Sequence, residues 1–157
     1  MKKITIGDVE YTFEFNLAAS LYNECTEEIM NIFVEGGMME SAASGGDVED
    51  AMSHLIKSMA SIPNKVITLF YAALLEHHGT EYGDGTVRGQ KDAYTLIKAY
   101  MKEAGVSMYD IMTEMMKLIE EDNFFEMIGL DKMLKEMESP KKSRKSSKAG
   151  ETSSKKE

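Results

Sequence analysis

Apolar residues recur at every second position once in this chain, between Ile4 and Phe15, and at three- and four-residue steps almost everywhere from Ala18 to Met137. A period of two lines one face of a strand and the longer period lines one face of a helix, so the single switch prescribes a short β element followed by helices. Ile4 and Ile6 alternate with polar neighbours, Gly7-Asp8 supplies a two-residue turn, and Val9, Tyr11, Phe13 and Phe15 alternate again, which predicts a β-hairpin with one apolar face. A lone hairpin is marginal in water and needs cover. The next helix is expected to supply it: Asn16 is a good N-cap, Ala18, Leu21, Tyr22, Cys25, Ile29, Ile32 and Phe33 form a stripe, and Gly36-Gly37 marks the end.

Residues 38–46, MMESAASGG, read as a mobile linker, after which Asp47 caps a second helix with Ala51, Met52, Leu55, Ile56 and Met59 on one side. Ser61-Ile62-Pro63 restarts the chain as a third helix with proline near its first turn. Its Val66, Ile67, Phe70, Tyr71, Leu74 and Leu75 make it the most apolar segment and the expected centre of the core. Gly79 closes it, and the glycine-rich loop 80–89 leads into a fourth helix with Ala93, Leu96, Ile97, Tyr100 and Met101 on its buried side and Gly105 as its stop. Ser107-x-x-Asp110 resembles a capping box, and Met108, Ile111, Met112, Met115, Leu118 and Ile119 continue in helical register. A last short helix around Leu130, Met133, Leu134 and Met137 follows Gly129. The expected fold is mainly α: an N-terminal β-hairpin packed on a compact bundle of about five or six helices, followed by a disordered C-terminal tail.

Composition changes at Ser139-Pro140. Residues 1–138, expected to form the one folded domain, carry 11 Lys+Arg against 25 Asp+Glu, a balance of −14, while residues 139–157 carry 7 against 2, a balance of +5. The basic tail is rich in Lys and Ser and nearly devoid of apolar residues, which predicts disorder. An acidic body repels phosphates, so nucleic acid is not an expected partner. No run of consecutive apolar residues approaches the roughly 18–20 of a membrane span, and the amino terminus lacks an apolar signal core, so the cytoplasm is the expected compartment. The single cysteine, Cys25, sits within an apolar stripe and reads as a small buried hydrophobe.

Little in the chain concentrates catalytic chemistry. His54, His77 and His78 are the only histidines; adjacent helical residues point about 100° apart, so His77 and His78 cannot share an ion as an i, i+4 pair can, and neither metal nor cofactor is expected. A metal-dependent enzyme built on His54, His77 and Glu76 is the weakest reading. The glycines at 83, 85 and 89 lack the Gly-Lys-Ser/Thr and the preceding strand of a phosphate-binding loop. No Gly-x-Ser-x-Gly occurs. Fourteen methionines stand out instead, eight of them between Met101 and Met137. Methionine fills irregular cores and also lines adaptable binding surfaces. Met108, Met112, Met115, Met116, Phe124, Phe125 and Met127 hold more apolar surface than one helix face can hide, which marks them, with Lys141 and Lys142 of the tail, as candidate partner-binding residues.

The opening KKITIGDVEYTFEFNLAASLYNECTEEI, followed by Ser61-Ile62-Pro63 and the run Phe70 to His78, FYAALLEHH, resembles the tail assembly chaperones of long-tailed phages and prophages of Gram-positive bacteria. The likeness spans roughly residues 1–120, with the hairpin entering a helix through F-N-x-A-A as its most specific part. The resemblance implies a non-enzymatic viral protein of the host cytoplasm that keeps tail-tube and tape-measure proteins soluble during assembly and is absent from the finished virion. It also implies a longer form made by translational frameshifting, for which adenine-rich codons at Lys141-Lys142 and Lys155-Lys156 would serve, and it makes self-association plausible. The competing reading from the residues alone is another helical adaptor or regulator, antitoxin-like in kind.

Overall fold

The computed structural model describes residues 1–43, 48–130 and 132. Two strands, β1 (Lys2–Ile6) and β2 (Val9–Phe13), pair antiparallel with Ile4 opposite Tyr11 and Ile6 opposite Val9. Gly7 has φ of 63° and Asp8 has no positive φ, the pattern of a two-residue turn with glycine first. The fold is a hairpin followed by six helices among the described residues: α1 (Leu17–Leu21), α2 (Asn23–Ala43), α3 (Val48–His78), α4 (Gln90–Ala104), α5 (Met108–Glu121) and α6 (Phe124–Met127). Mainly helical with an N-terminal hairpin is therefore the architecture.

The second half of α3 is the centre, as its composition indicates. Val66, Leu69, Phe70, Ala72, Ala73 and Leu74 are fully buried, and α1, α2, α4, α5 and β2 all pack on this helix. The hairpin's cover is α3, with α4 against β1, and not the helix that follows it in sequence. The reason is aromatic: Phe13 meets Phe70 edge-to-face at 4.7 Å, Tyr11 meets His78 at 5.2 Å and Phe15 meets Phe124 at 5.8 Å. Backbone and carboxylate bonds fix the same seat. The Glu14 amide donates to the Ala73 carbonyl at 2.8 Å, the Phe15 amide to Asp122 at 2.8 Å and the Gly7 amide to Glu103 at 2.7 Å. Lys2 pairs with Glu114 and the Met1 ammonium with Asp122.

Three boundaries differ from the expectation. The first helix is two helices, because Tyr22 adopts an extended backbone (φ −88°, ψ 99°) and its ring stands edge-on to Tyr71 at 5.4 Å. The Tyr22 carbonyl then accepts from Cys25 at 3.0 Å, which starts α2. The break lets Ala18 and Ala19 on one side and Cys25 and Ile29 on the other all reach the core, and it leaves Leu21 exposed. Asn16 does cap α1, its side chain accepting from the Ala18 amide at 3.1 Å.

Second, α2 does not stop at Gly36-Gly37 but runs to Ala43, so residues 38–43 are helix and not linker. Glycine ends a helix by turning left-handed; inside one it costs only about 1 kcal/mol, and these two are followed by good helix formers. Residues 44–46 of the expected linker, and the Asp47 cap, lie outside the described residues. Third, the expected second and third helices are one, with Pro63 inside α3. Proline removes its bond to the Met59 carbonyl, at a cost of roughly 3 kcal/mol, yet helix continues on both sides because the following turns are held by the core.

Local signals elsewhere hold. Gly105 is left-handed (φ 67°) and donates to the Met101 carbonyl at 3.0 Å, closing α4. Ser107 and Asp110 form a complete capping box at the start of α5. Leu130 is buried beyond α6, while Met133, Leu134 and Met137 lie outside the described residues, as do residues 139–157. The stretch Leu55–His78 has the length and mean hydropathy, 1.2, to cross a membrane, and half of it is buried inside the fold. Its inner residues are those that hold the hairpin, α4 and α5.

Candidate interaction surface

The structure places most of the expected partner-binding residues against the core. Met115 and Phe124 are fully buried, and Met108, Met112, Met116 and Phe125 are partly buried and packed on the core. Phe125 meets Phe33 of α2 edge-on at 5.0 Å. Met127 is the member of the set with substantial exposure, 45%. Lys141 and Lys142 lie outside the described residues. The α5–α6 segment is thus a wall of the core whose exposed large apolar side chains, among the described residues, are Tyr109 and Met127.

A further group of exposed apolar side chains lies on the first half of the chain's central helix. In the first half of α3, Met52 is 57% exposed, Leu55 38%, Ile56 63% and Met59 61%. Their spacing puts them on one stripe. On the paired helix α2, Met30 and Phe33 are also exposed. Among the described residues the buried side chains of α3 all fall at Lys65 or beyond, in the half of the helix that carries the core. Periodicity reveals that such a helix has an apolar side but says nothing about what lies opposite, so sequence alone offered no signal of this exposure. The side chains of Ala51 and His54 lie outside those described.

The histidines near the end of α3 hold the hairpin. His77 Nε2 lies 2.8 Å from Glu14 Oε2. His78 Nε2 accepts from the Thr12 amide at 3.0 Å, and its Nδ1 lies 3.1 Å from the Asp84 carboxylate. Among the described residues no three His, Cys, Asp or Glu side chains converge as a metal-binding group. Asp84 also accepts from the Thr86 amide and hydroxyl, and those bonds hold its carboxyl below the ordinary aspartate range.

The glycine-rich loop has a structural reason for its composition. The Gly83 amide donates to Gly79, the Asp84 amide to the His77 carbonyl at 3.0 Å and the Val87 amide to the His78 carbonyl at 2.8 Å, so the loop folds back over the end of α3 and satisfies its last carbonyls. A side chain at Gly83 would sit 2.3 Å from the His77 backbone carbon. Beside this loop, Leu21, Tyr22, Tyr71, Leu75, Glu81 and Tyr82 line an open cleft of about 280 Å³.

No protein-family model, curated protein or solved structure matches the chain.

Proposed function

We propose that this protein is a tail assembly chaperone of a long-tailed phage or prophage: it binds tail-tube and tape-measure proteins in the host cytoplasm, keeps them soluble and promotes tail assembly without catalysis. The observation that carries the reading is the exposed stripe Met52, Leu55, Ile56 and Met59 on the first half of α3. Scattered apolar residues on a surface are ordinary, but four at helical spacing form a face that water solvates poorly and a client's apolar segment can cover. Two methionines in the stripe let it adapt to more than one client. The acidic body, with its balance of −14 over residues 1–138, keeps such a surface from self-precipitating. The likeness of the N-terminal hairpin and the FYAALLEHH run to this family supplies the client identity.

Co-expression with the tail-tube and tape-measure products encoded beside it tests the proposal. We expect either client to become soluble and to co-purify stoichiometrically in the presence of this chain. Ile56→Glu combined with Met59→Glu should abolish that rescue while leaving the unfolding midpoint within a few degrees, since changes at exposed sites away from structural contacts stay within about 0.5 kcal/mol each. Absence of any association with either client would sink the chaperone reading and leave the more general helical adaptor.

A further inference from the structure

The cleft beside the glycine-rich loop has a chemistry of its own. Tyr22 and Tyr71 stand at 89° to one another with centroids 5.4 Å apart, so they form two walls of a corner. The exposed Tyr82 ring contributes a third aromatic surface, and Leu21 and Leu75 contribute apolar lining. Among the described residues, Glu81 is the one charged residue lining the cleft. The Tyr71 phenol is pushed up from the ordinary tyrosine value by burial first and then by the charges of Glu81 and of Asp92, which itself pairs with Arg88; the Tyr22 phenol is pushed up by burial first and then by Glu24, against a hydrogen bond from Gln90. All of these phenols therefore stay neutral near pH 7, with the exposed Tyr82 ring and the Glu81 carboxylate beside the Tyr22–Tyr71 corner.

We infer that this cleft binds the cationic side chain of a lysine or arginine presented by a basic peptide segment. Ring faces attract cations through their quadrupole, and a corner of neutral tyrosines with one carboxylate combines that attraction with direct charge pairing. Size points the same way. At about 280 Å³ the cleft falls at or below the lower end of small-molecule sites, which run to roughly 300–1,000 Å³, and suits one long side chain whose stem lies along Leu21 and Leu75. A segment of suitable chemistry exists in this chain at residues 141–145, KKSRK, and the same chemistry could be delivered by another protein.

The test uses the full chain with ¹³C-labelled tyrosines and a variant in which Lys141→Gln, Lys142→Gln, Arg144→Gln and Lys145→Gln are combined. Acetyl-KKSRK-amide added to the variant should shift the ring signals of Tyr22, Tyr71 and Tyr82, and the same peptide with glutamine at each basic position should not. Tyr82→Ala, at an exposed site, should weaken binding by about two- to fivefold, and Glu81→Gln should weaken it and flatten its salt dependence. If the native chain already shows the shifted signals without peptide, the tail fills the site from within; if it matches the variant, the cation comes from a second protein. Ring signals that ignore the basic peptide, or respond equally to the glutamine peptide, would overturn the inference.

Discussion

Phe13 has no exposed surface, and its ring lies 4.7 Å from Phe70 in the second half of α3. Truncating it leaves a cavity between sheet and helix that neither can close, because Tyr11 and Phe15 on either side are tied to His78 and Phe124. Phe13→Ala should therefore lower stability by about 3–5 kcal/mol in denaturant unfolding, and an unchanged midpoint would show the hairpin to be dispensable. Cys25 offers a second test. Its side chain is buried and burial pushes the thiol up to about 12, so a thiol reagent at pH 8 should leave the folded chain unlabelled and label it fully in denaturant. The sign with pH follows: between the ordinary value of 9.0 and about 12 the unfolded thiol loses its proton while the folded one keeps it. The unfolded state then binds fewer protons, and stability falls as pH rises through that window, by at most about 1.4 kcal/mol per pH unit from this group. A rising or flat stability in thermal scans across that window would contradict the burial of Cys25. Both residues were legible as core from pattern alone, because strand alternation and a helical stripe each specify a face at single-residue resolution.

Elements were legible where their ends are decided locally and illegible where packing decides them. Gly105 and the Ser107–Asp110 box act within one turn, so α4 and α5 follow from sequence nearly as they stand. The Ser107 amide and hydroxyl donate to the Asp110 carboxylate at 2.8 and 2.6 Å, and these bonds hold that carboxyl below the usual aspartate range. Ser107→Ala removes the cap and should cost about 1 kcal/mol, measurable as a lowered thermal midpoint with the helix content retained. A variant as stable as the native chain would mean that α5 is held by its buried face of Ile111, Met115, Leu118 and Ile119 alone. The break at Tyr22 and the unbroken run through Pro63 have no comparable local cause. One depends on Tyr71, forty-nine positions away, and the other on the sheet and helices that grip the second half of α3. The candidate surface was hidden for the same reason: Met52, Leu55, Ile56 and Met59 were visible as a stripe, but exposure belongs to the arrangement of the neighbours and not to the stripe.

At the scale of the whole molecule, charge and core are divided between different stretches of sequence. Every buried hydrophobic residue described lies between Ile4 and Leu130, while the basic balance of +5 is confined to residues 139–157. A segment that carries one alanine and one proline among lysines and serines has almost no apolar area to add to a core. Deleting residues 139–157 should therefore leave a single cooperative unfolding transition with its midpoint shifted by no more than a few degrees, as calorimetry would show. The deletion should change electrostatics instead. It takes the chain from a net charge of −9 to the body's −14, so any attraction that the tail supplies, to the tyrosine cleft or to an acidic client, disappears and is replaced by stronger repulsion of acidic partners. Rising salt should then weaken client association by the full chain more than by the truncated one, because screening acts on the charges that the truncation removes. Equal salt dependence of the two chains would place client binding wholly on the apolar stripe of α3, and loss of the unfolding transition on truncation would mean that the tail belongs to the fold.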